Sequence, residues 1–452
     1  MNSPKIIYDA AVSHMASQKV AIIGFGRVGL PLGLVLADSG FYTIGVDVNT
    51  HLVYTLQQKK LPFIEDKAEA LLKKHYGKNL KVIHESFLEA VVHEVDYIII
   101  TLGTPLNDTY GPDFSQLDGV FEKIMPLLKK GQMIILRSTV SPGTTELIAR
   151  RLEKRGYKVG KDIHIAYAPE RIAEGKSIDE LKEIPQIIGA LTEACAKKAG
   201  DLFSKFAPEV KPTDPKSAEL AKLYSNMYRY IDFAIGNEFM MIAEEHERDI
   251  YEILDLVNGG YKRAGLKSPG FTAGPCLVKD GFFLIDKGPY MELVTAAWRI
   301  NENIPGFLLE QIKNKQKDLE GKKVAILGLA FKKEIDDTRY SLSYKLIRHF
   351  LSEGAEVYKH DPFVKSDELD EALDKAEVVI IATNHEYYKK IGLNKLLSQA
   401  NPECIFCDIW NMFGTGKIIQ LSSDLKKNTT NGEVKKTVKM QSKKHKAVHA
   451  TI

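Results

Sequence analysis

The sequence predicts an α/β protein in which two doubly wound parallel sheets, one toward each end of the chain, are joined by a helical middle. Three observations carry that expectation. Short apolar runs alternate with helical stretches from Lys19 onward, long helical periodicity takes over in the middle, and strand-then-turn patterns restart at Lys322. Such alternation builds parallel sheets covered on both faces. The shifts divide the 452 residues into an N-terminal arm (1–18), a sheet domain (19–204), a helical domain (205–310), a second sheet domain (311–423) and a tail (424–452).

The first strand is Lys19-Val20-Ala21-Ile22-Ile23, and Gly24-Phe25-Gly26-Arg27-Val28-Gly29 follows it directly, before a leucine-rich helical stretch. That order is a dinucleotide-binding fingerprint. Gly24 makes the tight turn, Gly26 lets the backbone approach a pyrophosphate, and Gly29 allows close helix-strand packing. The amides around Arg27 and Val28 then face the phosphates. A second strand, Thr43–Asp47, ends in an acid eighteen residues past Gly29. A carboxylate there accepts hydrogen bonds from both ribose hydroxyls and repels a 2′-phosphate, so NAD is expected over NADP.

Further strands are expected at 95–100, 132–136 and 163–167. Ligands of open parallel sheets lie over the carboxyl ends of the strands, which makes Thr104 and Thr139 candidate contacts. Glu170 and Arg171 follow the third of these strands. Caps, turns or a salt bridge would equally explain these residues.

From about 190 to 300 the pattern reads as helical. Pro215 opens a long helix to about His246, on which Lys222 and Asn226 share a face, either as a solvated stripe or as part of a site. A further helix is expected near Glu292–Ile304. Between them lies Gly270-Phe271-Thr272-Ala273-Gly274-Pro275-Cys276-Leu277-Val278-Lys279-Asp280. Its glycines and proline impose turns and allow a ligand close to the backbone, and Lys279 and Asp280 place charge beside the thiol. Cys276 fits either a reactive thiol or a small buried hydrophobe.

The second alternation has strands near 323–327, 355–360, 377–382 and 403–408, and its glycines do not repeat the dinucleotide spacing. Lys332, Lys333, Asp336, Asp337, Arg339 and Ser341 crowd its first loop, which suits an anionic ligand or a charged surface turn. The formal charge of +3 conceals eight lysines against Glu433 in the last 27 residues, a surplus of +7 that leaves the body at −4. A mildly acidic body argues against nucleic acid, and the tail reads as a solvated extension. Four cysteines in so long a chain make no disulfide framework, and no run approaches the roughly 18 apolar residues that span a bilayer. A cytoplasmic protein without a membrane or metal partner is expected. Cys404 and Cys407 have redox-motif spacing but lie in an apolar strand.

Taken together, these residues resemble the UDP-glucose/GDP-mannose dehydrogenase family, nucleotide-sugar dehydrogenases that oxidise a hexose C6 alcohol to the acid. The resemblance runs from about 19 to 420 and rests on the glycine fingerprint, Ser138-Thr139-Val140, Pro169-Glu170-Arg171, Glu219 through Asn226, Gly274-Pro275-Cys276 with Lys279-Asp280, and Gly328-Leu329-Ala330-Phe331-Lys332 with Asp336-Asp337-Thr338-Arg339. It implies two Rossmann-like domains, for NAD and for UDP, joined by a central helical dimerisation domain, in a homodimer or larger assembly. It further implies that Cys276 captures an aldehyde, that Lys222 and Asn226 stabilise oxyanions, that Asp280 manages water, and that Glu170 and Thr139 lie near the reacting carbon. Lys332 matches a substrate-binding lysine, and Arg263 and Arg339 match charge partners of the diphosphate or sugar. Glucose-oxidising members carry Phe after the Pro-Glu pair and Gly-Gly-Ser before the cysteine. Arg171 and Ala273-Gly274-Pro275 depart from that pattern and point to UDP-N-acetylmannosamine or UDP-N-acetylglucosamine. A UDP-glucose dehydrogenase, a two-electron 3-hydroxyacid-type dehydrogenase and a non-enzymatic NAD-binding protein are the competing expectations.

Overall fold

A computed structural model describes residues 18–285 and 291–425; most of the N-terminal arm and nearly all of the basic tail lie outside the described residues. The described residues form two compact bodies, the first drawn from 18–234, 272–285, 291–299 and 334–340 and the second from 235–271, 300–333 and 341–425.

In the first body the strands are β1 (Lys19–Ile23), β2 (Tyr42–Asp47), β3 (Leu80–His84), β4 (Tyr97–Ile100), β5 (Met133–Leu136), β6 (His164–Tyr167), β7 (Gln186–Ala190) and β8 (Val210–Thr213), in the spatial order 3-2-1-4-5-6-7-8. Pairing is parallel except between β6 and β7. Strands buried on both faces read as unbroken apolar runs, which is why β1, β4, β5 and β6 stand out in the sequence. Val20, Ile22 and Ile99 fill one face of the sheet, and Ala21, Ile23 and Ile98 fill the other.

The sequence reading passes over β3, β7 and β8. β8 falls where only helices are expected, and its residues are largely exposed, with Pro212 inside. A proline is tolerated there because an edge strand leaves N–H groups unused.

Helix Pro215–Glu245 begins in the first body and passes into the second; helix Glu292–Lys315 does likewise. The second helix does not stop before Pro305. Ile304, Leu308 and Ile312 are fully buried at i, i+4, i+8 spacing, and packing of that stripe carries the helix past the lost hydrogen bond. Asn237 on the first helix donates to Asn301 on the second (2.8 Å) and accepts from the Gly270 amide (2.9 Å). Gly270 itself is set by packing, since a Cβ would collide with the Trp410 ring. Its smallness makes room for an indole rather than for a ligand.

The second body carries β9 (Lys323–Leu327), β10 (Glu356–His360), β11 (Val378–Ile381), β12 (Ile405–Asp408) and β13 (Ile419–Leu421) in the order 10-9-11-12-13, with only β13 antiparallel among these described strands. Cys404 and Cys407 are buried at β12, and burial pushes the Cys407 thiol well up, so this pair is core.

Because Asn237 satisfies two buried polar groups at once, Asn237→Leu is expected to lower unfolding stability by about 2–3 kcal/mol. Urea titration would read this as a shifted midpoint at unchanged slope.

Candidate active site

The glycine turn after β1 is built by exclusion. Gly24 has φ +92° and its amide donates to the Val46 carbonyl (2.9 Å). A Cβ on Gly29 would strike the Gly24 carbonyl, whereas one on Gly26 would meet nothing within 4 Å. Phe25 turns inward, fully buried against Gly33 and Gly45. Asp47, the last residue of β2, accepts from the Phe25 amide (2.7 Å) and the Asn49 amide (2.9 Å). Helix Gly29–Asp38 has no acid in its first turn. An open Gly26, a helix N-terminus free of negative charge and a fixed carboxylate at the end of β2 suit a dinucleotide pyrophosphate and ribose.

Arg27 is engaged by acids. Its Nη1 lies 2.9 Å from Asp336, its Nε 3.5 Å from Asp337, and its guanidinium also faces Glu174 and the Phe63 ring. Arg339 pairs with Asp337 (2.6 Å) and Glu174 (3.3 Å). Three carboxylates thus share two guanidinium groups. Burial, reinforced by Asp337, pushes Glu174 up to about 7. Sequence reasoning saw Asp336, Asp337 and Arg339 as a charged loop but missed Glu174 and the partnership with Arg27. Segment 334–340 belongs to the first body, so Arg339 shares that body with the glycine turn, while Lys332 and Arg263 belong to the second. Lys332 sits in the turn after β9, and Arg263 is exposed over the Tyr261 ring at 5.1 Å.

The loops after β4 and β5 are joined by Thr104, whose hydroxyl donates to the Thr139 carbonyl (2.8 Å). Beyond Thr139, Glu219 on helix Pro215–Glu245 accepts from the Gly143 amide (2.5 Å), the Thr145 amide (2.9 Å) and the Thr145 hydroxyl (2.6 Å). Three and seven residues further along the same helix stand Lys222 and Asn226, both buried. Asn226 donates to Asp280 (2.6 Å), Lys279 pairs with the other Asp280 oxygen (3.1 Å), and the Asp280 amide donates to the Cys276 carbonyl (3.0 Å). Gly274, at φ +104°, makes the turn that presents the cysteine.

The Cys276 side chain reaches solvent, yet the crowded surroundings and the Asp280 carboxylate push its thiol up, with Lys222 and Lys279 pulling the other way. The structure therefore brings Cys276, Lys222, Asn226 and Asp280 into one cluster. Glu170 and Arg171 lie just past β6. Glu170 is buried against Arg137, a residue to which the sequence reading gave no role, and Arg171 donates to the Pro185 carbonyl.

A dinucleotide turn, a second parallel sheet and a thiol set among a lysine, an amide and a carboxylate suit a nicotinamide-dependent oxidoreductase. The chain belongs to the UDP-glucose/GDP-mannose dehydrogenase family. It matches that family's NAD binding domain over 18–207, its central domain over 216–303 and its UDP binding domain over 325–415. A UDP-N-acetyl-D-mannosamine dehydrogenase of Methanocaldococcus jannaschii is 33% identical over 82% of this chain and 87% of its own length. The structure of a UDP-N-acetylmannosamine dehydrogenase from Pyrococcus horikoshii aligns at TM-score 0.79 and 31% identity, covering 85% of this chain and 93% of that one. A UDP-glucose dehydrogenase from Pyrobaculum islandicum aligns at TM-score 0.77 and 26% identity, over 88% and 99% of the two chains. The protein is thus an NAD-dependent nucleotide-sugar dehydrogenase with two Rossmann-like domains and a central helical region. Among the described residues no helix is long and apolar enough to cross a membrane.

The two later glycines of the turn should separate under substitution. Gly29→Ala forces backbone apart and is expected to cost about 2–4 kcal/mol in unfolding. Gly26→Ala should leave the melting temperature unchanged while weakening NAD binding at least roughly tenfold in calorimetric titration.

Proposed function

We propose that the protein oxidises the C6 hydroxymethyl group of a UDP-N-acetylhexosamine, UDP-N-acetylmannosamine or UDP-N-acetylglucosamine, to the carboxylate in a four-electron reaction. The observation that carries this reading is the Cys276 cluster, a thiol under the joint influence of Lys222, Lys279 and Asp280, with Asn226 bonded to that same carboxylate. The names of the Methanocaldococcus and Pyrococcus relatives support the amino-sugar substrate, as do Arg171 and Ala273-Gly274-Pro275 at the two places where the sequence leaves the glucose pattern.

Bound NAD supplies the hydride acceptor, once for each of the two oxidations. The chain's residues do the rest. As the first hydride leaves C6, the hydroxyl proton passes through water to Asp280 and an aldehyde results. The Cys276 sulfur then adds to the aldehyde carbon. Its thiol is protonated at rest, so addition needs a proton acceptor, and Asp280, once it has given the first proton up to solvent through that water, is the carboxylate at hand. Lys222 and Asn226 donate to the developing oxyanion. Loss of the second hydride turns the thiohemiacetal into a thioester. Water positioned by Asp280 attacks that carbonyl, the C–S bond breaks, and the acid leaves as the thiol regains its proton. Thr139 and Glu170 border the reacting carbon, Thr104 and Asp47 hold the cofactor end, and Arg171, Arg263, Lys332 and Arg339 serve the UDP-sugar.

In this reading 19–204 binds NAD, 205–310 carries the thiol and self-association, and 311–423 binds UDP. A homodimer is supported by the apolar face of helix Pro215–Glu245, where Tyr224 is 58% exposed, Tyr228 71%, Phe239 44% and Ile242 45%. A helical face of that kind is the usual signature of a partner helix. The four free thiols fit a reducing cytoplasm.

Incubation with a panel of UDP-sugars, with NADH counted against product mass, tests the chemistry. Two NADH per acid and no acid from Cys276→Ala are expected; one NADH per turnover with normal activity in that variant would overturn the cysteine route. UDP-glucose as the preferred substrate would favour the activity named for the Pyrobaculum relative. Light scattering should give twice the 50.6 kDa chain mass, and a monomer would refute the assembly.

A further inference from the structure

Arg137 and Glu170 leave the sheet from neighbouring strands, Arg137 immediately after β5 and Glu170 three residues after β6. The Arg137 side chain is 1% exposed. A guanidinium so deep must be neutralised and fully bonded, or its desolvation goes uncompensated. Its Nε donates to Glu170 Oε2 (2.7 Å), its Nη2 pairs with the same carboxylate, and its Nη1 donates to the Ala168 carbonyl (3.1 Å) and to Gln186 Oε1 (2.9 Å). The guanidinium also lies over the Phe203 ring, 5.4 Å from its centroid. Gln186 closes the circuit by donating to the Pro169 carbonyl (3.2 Å).

The other Glu170 oxygen is equally committed. Oε1 accepts from the Arg171 amide (2.7 Å) and the Ile172 amide (2.8 Å). Two guanidinium nitrogens on one oxygen and two amides on the other occupy the roughly four acceptor positions a carboxylate has. A substrate hydroxyl or a water has no vacant lone pair on Glu170 to which it could give a proton. The neighbouring ionisable groups do not change this. Arg171 is tied to the Pro185 carbonyl, and the Tyr167 phenol is held well above its ordinary value by burial, with Glu219 and Asp280 adding to it, so it stays protonated.

We propose that Arg137 is a positioning residue. It locks Glu170 as the fixed anchor of the 168–172 turn, so that Glu170 shapes the sugar-facing end of β6 and Asp280 alone handles protons. This deepens the proposed function and rests on it. The consequence for chemistry is a division of labour between two carboxylates: Glu170 is saturated by donors, while Asp280 is bonded to an amide and a lysine beside the thiol.

Four variants test it: Arg137→Met, Arg137→Lys, Glu170→Gln and the double variant Arg137→Met with Glu170→Gln. Two readouts are taken from pH 5 to 9, kcat and KM with the best UDP-sugar of the panel, and the melting temperature. Removing the guanidinium leaves a buried carboxylate without its cation, which raises its folded-state pKa. Stability from such an acid is greatest at low pH and is lost as pH rises from its unfolded value, about 4.3, through the raised folded value. Arg137→Met should therefore melt progressively lower than the double variant as pH rises, and its kcat should be at least tenfold down with a new ionisation in its profile. The double variant should regain most of the stability, and Arg137→Lys should remove the new ionisation while keeping a reduced kcat. Glu170→Gln should lower kcat without abolishing any limb of the wild-type pH profile.

Loss of a wild-type limb in Glu170→Gln, or an Arg137→Met profile and melting curve that match wild type, would overturn the proposal. Should Arg137→Met fail to fold, Arg137→Lys and the double variant, which bury no bare charge, still decide it. An inactive wild type on every UDP-sugar would sink the proposed function instead, and the melting comparison would still report on the Arg137–Glu170 lock.

Discussion

One buried carboxylate sets the position of helix Pro215–Glu245. Glu219 has no exposed surface, yet its two oxygens take three donors from the start of helix Thr144–Lys154. Burial pushes its pKa up, and the Thr145 hydroxyl and the two amides pull it back, so the carboxyl sits where the N-terminal end of a helix favours negative charge. Because Glu219 fixes both the rotation and the height of helix Pro215–Glu245, it also fixes Lys222 one turn on and Asn226 two turns on. The loop it grips is the one that carries Thr139. A single contact thus registers the strand-end loop against the helix that carries Lys222 and Asn226, and the oxyanion role proposed for those two residues would depend on that registration.

The two sheets use the same turn device to different ends. In the first body Asp47 closes the glycine turn by accepting the Phe25 amide and keeps partial exposure, leaving its carboxylate edge available to a ribose. In the second body Asp361 accepts the Leu329 and Ala330 amides (2.6 and 3.0 Å), but it is buried and paired with His385 (3.2 Å). Burial alone would raise its pKa; the histidine and the amides outweigh that and hold it low. A carboxylate consumed in this way cannot read ribose hydroxyls. The second sheet is therefore a Rossmann-like scaffold with its dinucleotide signature spent on its own turn, which is why its glycine spacing departs from the fingerprint.

Much of this was legible in the sequence because burial writes a local signal. Strands β1, β4, β5 and β6 are apolar on both faces, Pro215 marks a helix start, and the glycine turn has fixed spacing. The pattern around Cys276, with Lys222, Asn226 and Asp280 as its partners, was legible as a family resemblance; helix periodicity alone gave only the shared face of Lys222 and Asn226. What escaped was written in pairs far apart along the chain. Arg27 and Asp336 are separated by about three hundred residues, and nothing local marks Glu174 as their partner. Gly270 looked permissive and is in fact filled by Trp410. The helix expected near Glu292–Ile304 runs on through Pro305 to Lys315, carried by the buried stripe around it. Edge strand β8 has no buried face to impose periodicity, so it gave no signal.

The charges around the thiol fit a nucleophile held in reserve. Lys222 and Lys279 favour a thiolate, while crowding, Asp280 and the more distant Glu174 oppose it, and the balance lies on the side of the protonated form. A cysteine poised permanently as thiolate on an accessible surface would be open to oxidation, since susceptibility follows thiolate character and exposure. On the proposed cysteine route the thiol would need a proton acceptor when an electrophile arrives, and the same Asp280 that opposes its resting ionisation would be the group to receive the proton. On that same proposed route Lys222, which also draws the thiol toward ionisation, would serve the charge that develops on the sugar.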